Sequence, residues 1–237
     1  MIELIEVTKS YQRLLPLLDQ ASCRIEKGEF AYLTGISGAG KTTVFRMLMG
    51  MERPDRGTIR IEGRDVNRLK PHARAEHRRR IGMVFQDYRL LPEESIADNV
   101  GLPLRVAGVN AAMERQKVRE KLALVGLTGR DKEPVVSLSG GEKQLVSIAR
   151  ALVLSPPVLL ADEPTGNLDQ AMAWRVMEVL RGINGAGCTV VVATHDLALI
   201  RGFRARTLLI KERRLNEVRL IDSPAGEPAA ARPAMQT

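Results

Sequence analysis

Apolar positions recur along the chain with two different periods. Residues 2–7, 22–25 and 30–34 read as short strands, with Lys27, Gly28 and Glu29 as a turn between the second and third, so an antiparallel start is expected. Beyond a Gly-rich stretch at 35–40, Val44, Phe45, Leu48 and Met49 fall at helical spacing and Gly50 supplies a stop. Ile59 and Ile61 alternate within 57–63 as a further strand. The compact apolar runs 81–85, 158–161 and 189–193 suit strands buried on both faces of a parallel sheet, and helical patterns separate them.

The segment 111–125 is polar and amphipathic, with Met113, Val118, Leu122 and Val125 as its apolar positions, and a second helix is expected after Ser139. Together they predict a helical subdomain over about 88–156, inserted between core strands. Residues 207–210 and 215–220 flank 211–214 as a hairpin. From Asp222 the composition turns to Pro, Ala and Gly, which predicts a disordered tail over 222–237 after a single domain over 1–221. The pattern is that of an α/β protein with a mixed or parallel core sheet.

Composition narrows the function classes. With 44% hydrophobic and 27% charged residues among 237, the chain has material for a core and is not wholly disordered. Its apolar runs are a few residues long, against the roughly 20 a membrane span needs. Acidic Glu3 and Glu6 near the start argue against a secretory signal, and Cys23 and Cys188 lie in no metal-ligand spacing, so a cytoplasmic protein without zinc or disulfides is expected. The balance of 36 basic against 28 acidic residues, 36 − 28 = +8, favours an anionic partner: nucleotide, nucleic acid or a negatively charged membrane face. The densest basic run, 68–80 with Lys70, Arg74, Arg78, Arg79 and Arg80, reads most simply as a solvated helix face.

The sharpest chemistry is a phosphate loop. Gly35, Ile36, Ser37, Gly38, Ala39, Gly40, Lys41 and Thr42 match GxxxxGK followed by Ser or Thr, between a predicted strand and a predicted helix, with Thr43 next in line. Glycines let backbone amides converge on phosphate oxygens, and the helix N-terminus adds a favourable dipole. Lys41 would reach the β and γ phosphates of ATP, and the Thr42 hydroxyl would ligate Mg²⁺. The apolar strand 158–161 then ends in Asp162 and Glu163, at the carboxyl edge of a parallel sheet where α/β proteins bind ligands. Asp162 would hold the metal, and Glu163 would polarise an attacking water. His195 follows a third strand and would contact the γ phosphate; taken alone, a His there is usually structural.

Leu138, Ser139, Gly140, Gly141 and Glu142 open a helix, and Ser139 with Glu142 has the form of a capping box. A cap explains Ser and Glu but not the paired glycines; a second anion site, where a phosphate approaches the first helical turn, explains all of them. With these motifs in order, together with Gln86 after its strand and Asn167-Leu168-Asp169, residues 1–220 resemble the ATP-binding cassette (ABC) family.

That resemblance implies an ABC-type nucleotide-binding domain with an antiparallel β subdomain and a helical subdomain. It implies a homodimer in which each ATP lies between the phosphate loop of one subunit and Ser139, Gly140 and Gly141 of the other. It implies that Tyr11 stacks on adenine, that Gln86 senses Mg²⁺ and the attacking water, that Asp169 links the two sites, and that His195 acts as a switch. The stretches 29–35, 79–91 and 162–169 are similar to the family's cell-division ATPases, and exporter and lipoprotein-release members share part of them. The division branch implies a peripheral position on the cytoplasmic face of the cell membrane, beside an FtsX-like integral membrane subunit received near Tyr88, Leu90 and Leu91, with activation of cell-wall hydrolases as output. A cassette acting directly on nucleic acid or ribosomes is disfavoured by the single set of motifs and by 3% aromatic residues, which leave little for base stacking. One departure stands out: Lys143, Gln144 and Leu145 occupy positions where the family usually has two Gln and an Arg.

Overall fold

The computed structural model describes residues 1–11 and 15–218. The chain runs β1 (Ile2–Lys9), β2 (Leu18–Ile25), β3 (Phe30–Thr34), α1 (Lys41–Leu48), β4 (Arg56–Ile61), β5 (Arg64–Asp65), α2 (Pro71–Arg79), β6 (Ile81–Val84), α3 (Ile96–Val106) and α4 (Ala111–Leu124). It continues through α5 (Gly140–Leu152), β7 (Val158–Asp162), α6 (Gln170–Gly185), β8 (Thr189–Ala193), α7 (Leu197–Gly202), β9 (Arg206–Lys211) and β10 (Arg214–Val218).

Two sheets form, one four-stranded in the order β2-β1-β4-β5 and one six-stranded in the order β10-β9-β3-β8-β7-β6. β1 pairs antiparallel with β2 as expected. The turn after β2, however, does not fold β3 back beside it. β3 crosses to the larger sheet and pairs parallel with both β8 and β9. Its residues Phe30, Ala31, Tyr32, Leu33 and Thr34 are all buried, so it needs partners on both edges and cover on both faces. The last pair, β9 and β10, is the expected antiparallel hairpin up to Val218; the remaining strand positions 219–220 and the tail 222–237 lie outside the described residues.

Alternate residues of the parallel strands feed two cores. Phe30, Tyr32, Leu159, Ala161, Val190 and Val192 pack with α3, α5 and α6. Ala31, Leu33, Val158, Leu160 and Val191 pack with α1 and the four-stranded sheet. Fully burying each aliphatic side chain contributes about 1.5–3 kcal/mol, which is what fixes the sheet between its two layers. In α4, Val118 and Leu122 are buried, but Met113 remains 43% exposed and is not part of the buried face. Leu145 is fully buried among the apolar residues around α5, and Gln144 beside it is buried with neither amide atom hydrogen-bonded among the described residues.

The basic run around α2 is only partly a solvated face. His77 is buried, its Nε2 lies 2.8 Å from the Leu48 carbonyl, and the Arg78 Nε donates to the Met49 carbonyl at 3.3 Å. These side chains meet the carbonyls that the end of α1 leaves without helical partners. Burial lowers the His77 pKa, in keeping with a neutral ring. Farther along, Trp174 of α6 packs against Phe203 with ring centroids 4.7 Å apart and the planes tilted by 47°, and a β-carbon on Gly202 would come within 2.5 Å of the Trp174 ring.

Candidate active site

The connection from β3 to α1 builds one wall of a cavity. Gly40 caps α1 with φ 107 and Gly38 has φ 77, backbone that favours glycine. A β-carbon on Gly40 would lie 3.1 Å from Leu17 Cγ, so the loop also needs the space. Among the described residues no side chain caps α1, and its first amides have no side-chain capping acceptor. The opposite wall comes from the carboxyl ends of β7 and β8, which stand next to each other in register. The open cleft between them is about 450 Å³ and is lined by Tyr11, Leu17, residues 37–43, Gln86, Asp162, Glu163 and His195.

Inside it, Lys41 is buried and its Nζ donates to the Gly35 carbonyl at 2.9 Å and the Ile36 carbonyl at 3.4 Å. The same ammonium lies 3.3 Å from Glu163 Oε1. Glu163 holds φ 46, a left-handed conformation costly for a residue with a β-carbon, and its amide donates to the Ala193 carbonyl at 2.8 Å. Its Oε1 is also 3.0 Å from His195 Nδ1, so the carboxylate sits between a buried cation and an imidazole that is 69% exposed.

Asp162 is different. It is 7% exposed, and its Oδ1 has no hydrogen-bond partner among the described residues. Burial raises its pKa, with the Thr42 hydroxyl pulling the other way. An orphaned buried carboxylate oxygen beside a hydroxyl is the donor set of a hard cation such as Mg²⁺. Among the described residues no group of three or more His, Cys, Asp or Glu is placed to hold a metal by itself, so a cation at Asp162 would complete its shell with substrate oxygens and water.

At the other end of the cavity the Tyr11 hydroxyl donates to Glu52 Oε2 at 2.6 Å and lies 3.2 Å from Thr43 Oγ1. Burial and Glu52 raise its pKa; the residue stays 57% exposed, with Lys9 Nζ over its ring at 5.5 Å from the centroid. Leu17 and Glu52 are contributions that the motifs do not announce. Leu17 lies well before the loop it supports, and Glu52 is one acid among many.

Ser139, Gly140, Gly141 and Asp169 do not line this cavity. Ser139 caps α5 and closes a complete capping box: its Oγ accepts the Glu142 amide at 3.3 Å, and Glu142 Oε2 accepts the Ser139 amide at 2.9 Å. Arg130 bonds Glu142 and Glu133 together, and its guanidinium with the Ser139 contacts brings the Glu142 pKa down to about 2. Asp169 caps α6 through the Met172 amide at 2.9 Å. Gly141 has no room for a side chain, since a β-carbon would meet Met172 Cγ at 2.3 Å. Near these residues, Leu90 is half-buried against the helical layer, Leu91 is 43% exposed, and Tyr88 reaches toward Gly140.

Comparison with known proteins places this arrangement. A family model described as "ABC transporter" matches residues 18–166. The chain is similar to the cell division ATP-binding protein FtsE of Escherichia coli (strain K12), 44% identical over 210 residues that cover 88% of this chain and 95% of the relative. It is also similar to FtsE of Bacillus subtilis (strain 168), 42% identical over 90% of this chain and 93% of the relative. Among solved structures, it resembles the dimeric post-hydrolysis state of an ATP-binding cassette bound to ADP and Pi. The TM-score is 0.83 at 33% identity, covering 94% of this chain and 100% of that one.

Proposed function

The chain belongs to the ABC transporter family, and from that premise we propose that it is the ATP-hydrolysing subunit of a cell-division membrane complex. The observation that carries the reading is Glu163, held between Lys41 and His195 at the edge of a cavity that opens onto the uncapped start of α1. The phosphates of ATP take the amides of 38–43 and the Lys41 ammonium, which leaves its carbonyl partners for them. With Lys41 drawn away, Glu163 is free to accept a proton from water as the water oxygen attacks the γ phosphorus and ADP leaves. A base in this role is worth typically 10²- to 10⁴-fold. His195, bonded to the same carboxylate, orients it and faces the γ phosphate. Thr42, Gln86 and Asp162 would hold Mg²⁺, which supplies neutralisation of the phosphate charge.

Tyr11, fixed through its hydroxyl, offers its ring to adenine. The small residues Ser139, Gly140 and Gly141 serve the ATP of a second copy, so the working unit is a homodimer with Asp169 at its centre. Among the described residues no helix is long and apolar enough to cross a membrane. The complex therefore takes its membrane component from a partner of FtsX type, received near Tyr88, Leu90 and Leu91 at the inner face of the membrane, and its output is activation of cell-wall hydrolases rather than transport.

Co-purification tests this. The Glu163→Gln variant, captured with ATP from detergent-solubilised membranes, is expected to bring down a four-span FtsX-like protein. Recovery of an exporter or lipoprotein-release permease would move the same ATP chemistry to transport, and recovery of ribosomes alone would overturn the membrane role.

A further inference from the structure

The turn after Gln86 contains two consecutive residues in the left-handed region, Tyr88 at φ 58 and Arg89 at φ 50. Both carry β-carbons, and such backbone persists only where its surroundings impose it. Within the turn Arg89 pairs with Asp87 and lies over the Phe85 ring, and from outside it one face of α5 meets its carbonyls. Arg150 donates through Nη1 to the Arg89 carbonyl at 2.5 Å and through Nη2 to the Tyr88 carbonyl at 2.6 Å, and Ser147 Oγ donates to the Tyr88 carbonyl at 3.3 Å.

Among the described residues Arg150 forms no ion pair with a carboxylate; burial together with the neighbouring Arg89 lowers its pKa, with Asp87 pulling the other way. Asp87 offsets the Arg150 charge only at longer range, and what the planar fork does at close range is reach two successive carbonyls. The clamped turn joins two places. Upstream, Gln86 lines the cavity that holds Glu163, and its Nε2 lies 3.5 Å from the β-carbon position of Gly166. Downstream, the Tyr88 hydroxyl lies 3.2 Å from the β-carbon position of Gly140, the first residue of the helix that carries Arg150.

We propose that Arg150 is a positioning residue for Gln86: by clamping the carbonyls of Tyr88 and Arg89 it fixes the 86–89 turn at the cavity and ties it to α5. The proposal rests on the role given to Gln86 above, and a double-mutant cycle separates the two. ATP turnover of the purified protein is measured for wild type, Arg150→Met, Gln86→Ala and the double variant, with thermal melts alongside. Misplacement of a group at the reaction centre predicts a kcat about tenfold lower in Arg150→Met, with KM for ATP within about twofold of wild type.

In the Gln86→Ala background the same change is expected to cost less than about twofold, because Arg150 acts through a side chain that is no longer there. Arg150→Lys, which keeps the charge and one donor direction, is expected to recover part of the turnover. If Arg150→Met melts early, the cycle with Arg150→Lys gives the same reading. A repeated tenfold loss in the Gln86→Ala background, or an unaffected kcat in Arg150→Met beside an impaired Gln86→Ala, overturns the Arg150 proposal alone. Wild-type turnover in Gln86→Ala overturns the role of Gln86 and the route assigned to Arg150 with it.

Discussion

Two helices of this chain begin at glycine-rich motifs, and they are finished in opposite ways. Among the described residues the start of α1 has no side-chain cap, and its loop closes around a cavity that also holds Lys41, Asp162 and Glu163. The start of α5 is closed by a complete capping box and buttressed by Arg130, while Ser139 and Gly140 remain exposed. A helix without a cap leaves donors for an anion from outside; a capped one is stable by itself and presents a finished surface. The first region lines a cavity within one chain, and the second presents an exposed, already capped surface.

The largest effect expected from probing this contrast comes from Glu163→Gln. Turnover should fall by about 10²- to 10⁴-fold in a phosphate-release assay while ATP still binds and holds a dimer on size exclusion. Wild-type turnover would remove the chemistry from the first region. Lys41→Ala comes next: loss of a charged donor to phosphate predicts ATP binding weaker by roughly tenfold to a hundredfold in a nucleotide titration. Affinity that does not move would break the distinction at its base.

Ser139→Ala probes the other side. It should lower stability by about 1 kcal/mol in a denaturant melt through the lost cap, leave ATP affinity of the dilute chain unchanged, and reduce turnover where two copies meet. An affinity loss in the dilute chain would place Ser139 in the first region after all.

The smallest expected effect is a pH dependence at Glu142. Its folded pKa, about 2, lies below the usual 4.5, so the stability it contributes is present above pH 4.5 and is lost as pH falls toward 2. Arg130→Met removes the main cause of that shift. The melting-temperature difference between wild type and this variant should therefore narrow over that acidic window; a difference constant down to pH 2 would mean that Arg130 acts through packing.

What was legible in the sequence was local. The phosphate loop, the acids that end β7 and the box at Ser139 are each written within a few consecutive residues, and the structure puts Lys41, Asp162, Glu163 and His195 around one cavity. The fate of β3 was not legible, because a Lys-Gly-Glu turn reads the same whether the chain turns back or leaves for another sheet. Nor was Arg150, whose carbonyl partners lie about sixty residues upstream, in a turn whose conformation no propensity announces. His77 and Arg78 looked like solvated charge because the α1 carbonyls they meet are also distant in sequence.

The pairing of Trp174 with Phe203 has an optical consequence. Trp174 is the chain's single tryptophan, and it stands on the helix capped by Asp169, packed at a tilt on Phe203 in the segment that follows His195. Its indole emission therefore samples one contact, between the helices leaving those two residues. A shift of either would change quenching and wavelength without any attached dye, giving a stopped-flow trace of nucleotide binding and turnover in the unmodified protein.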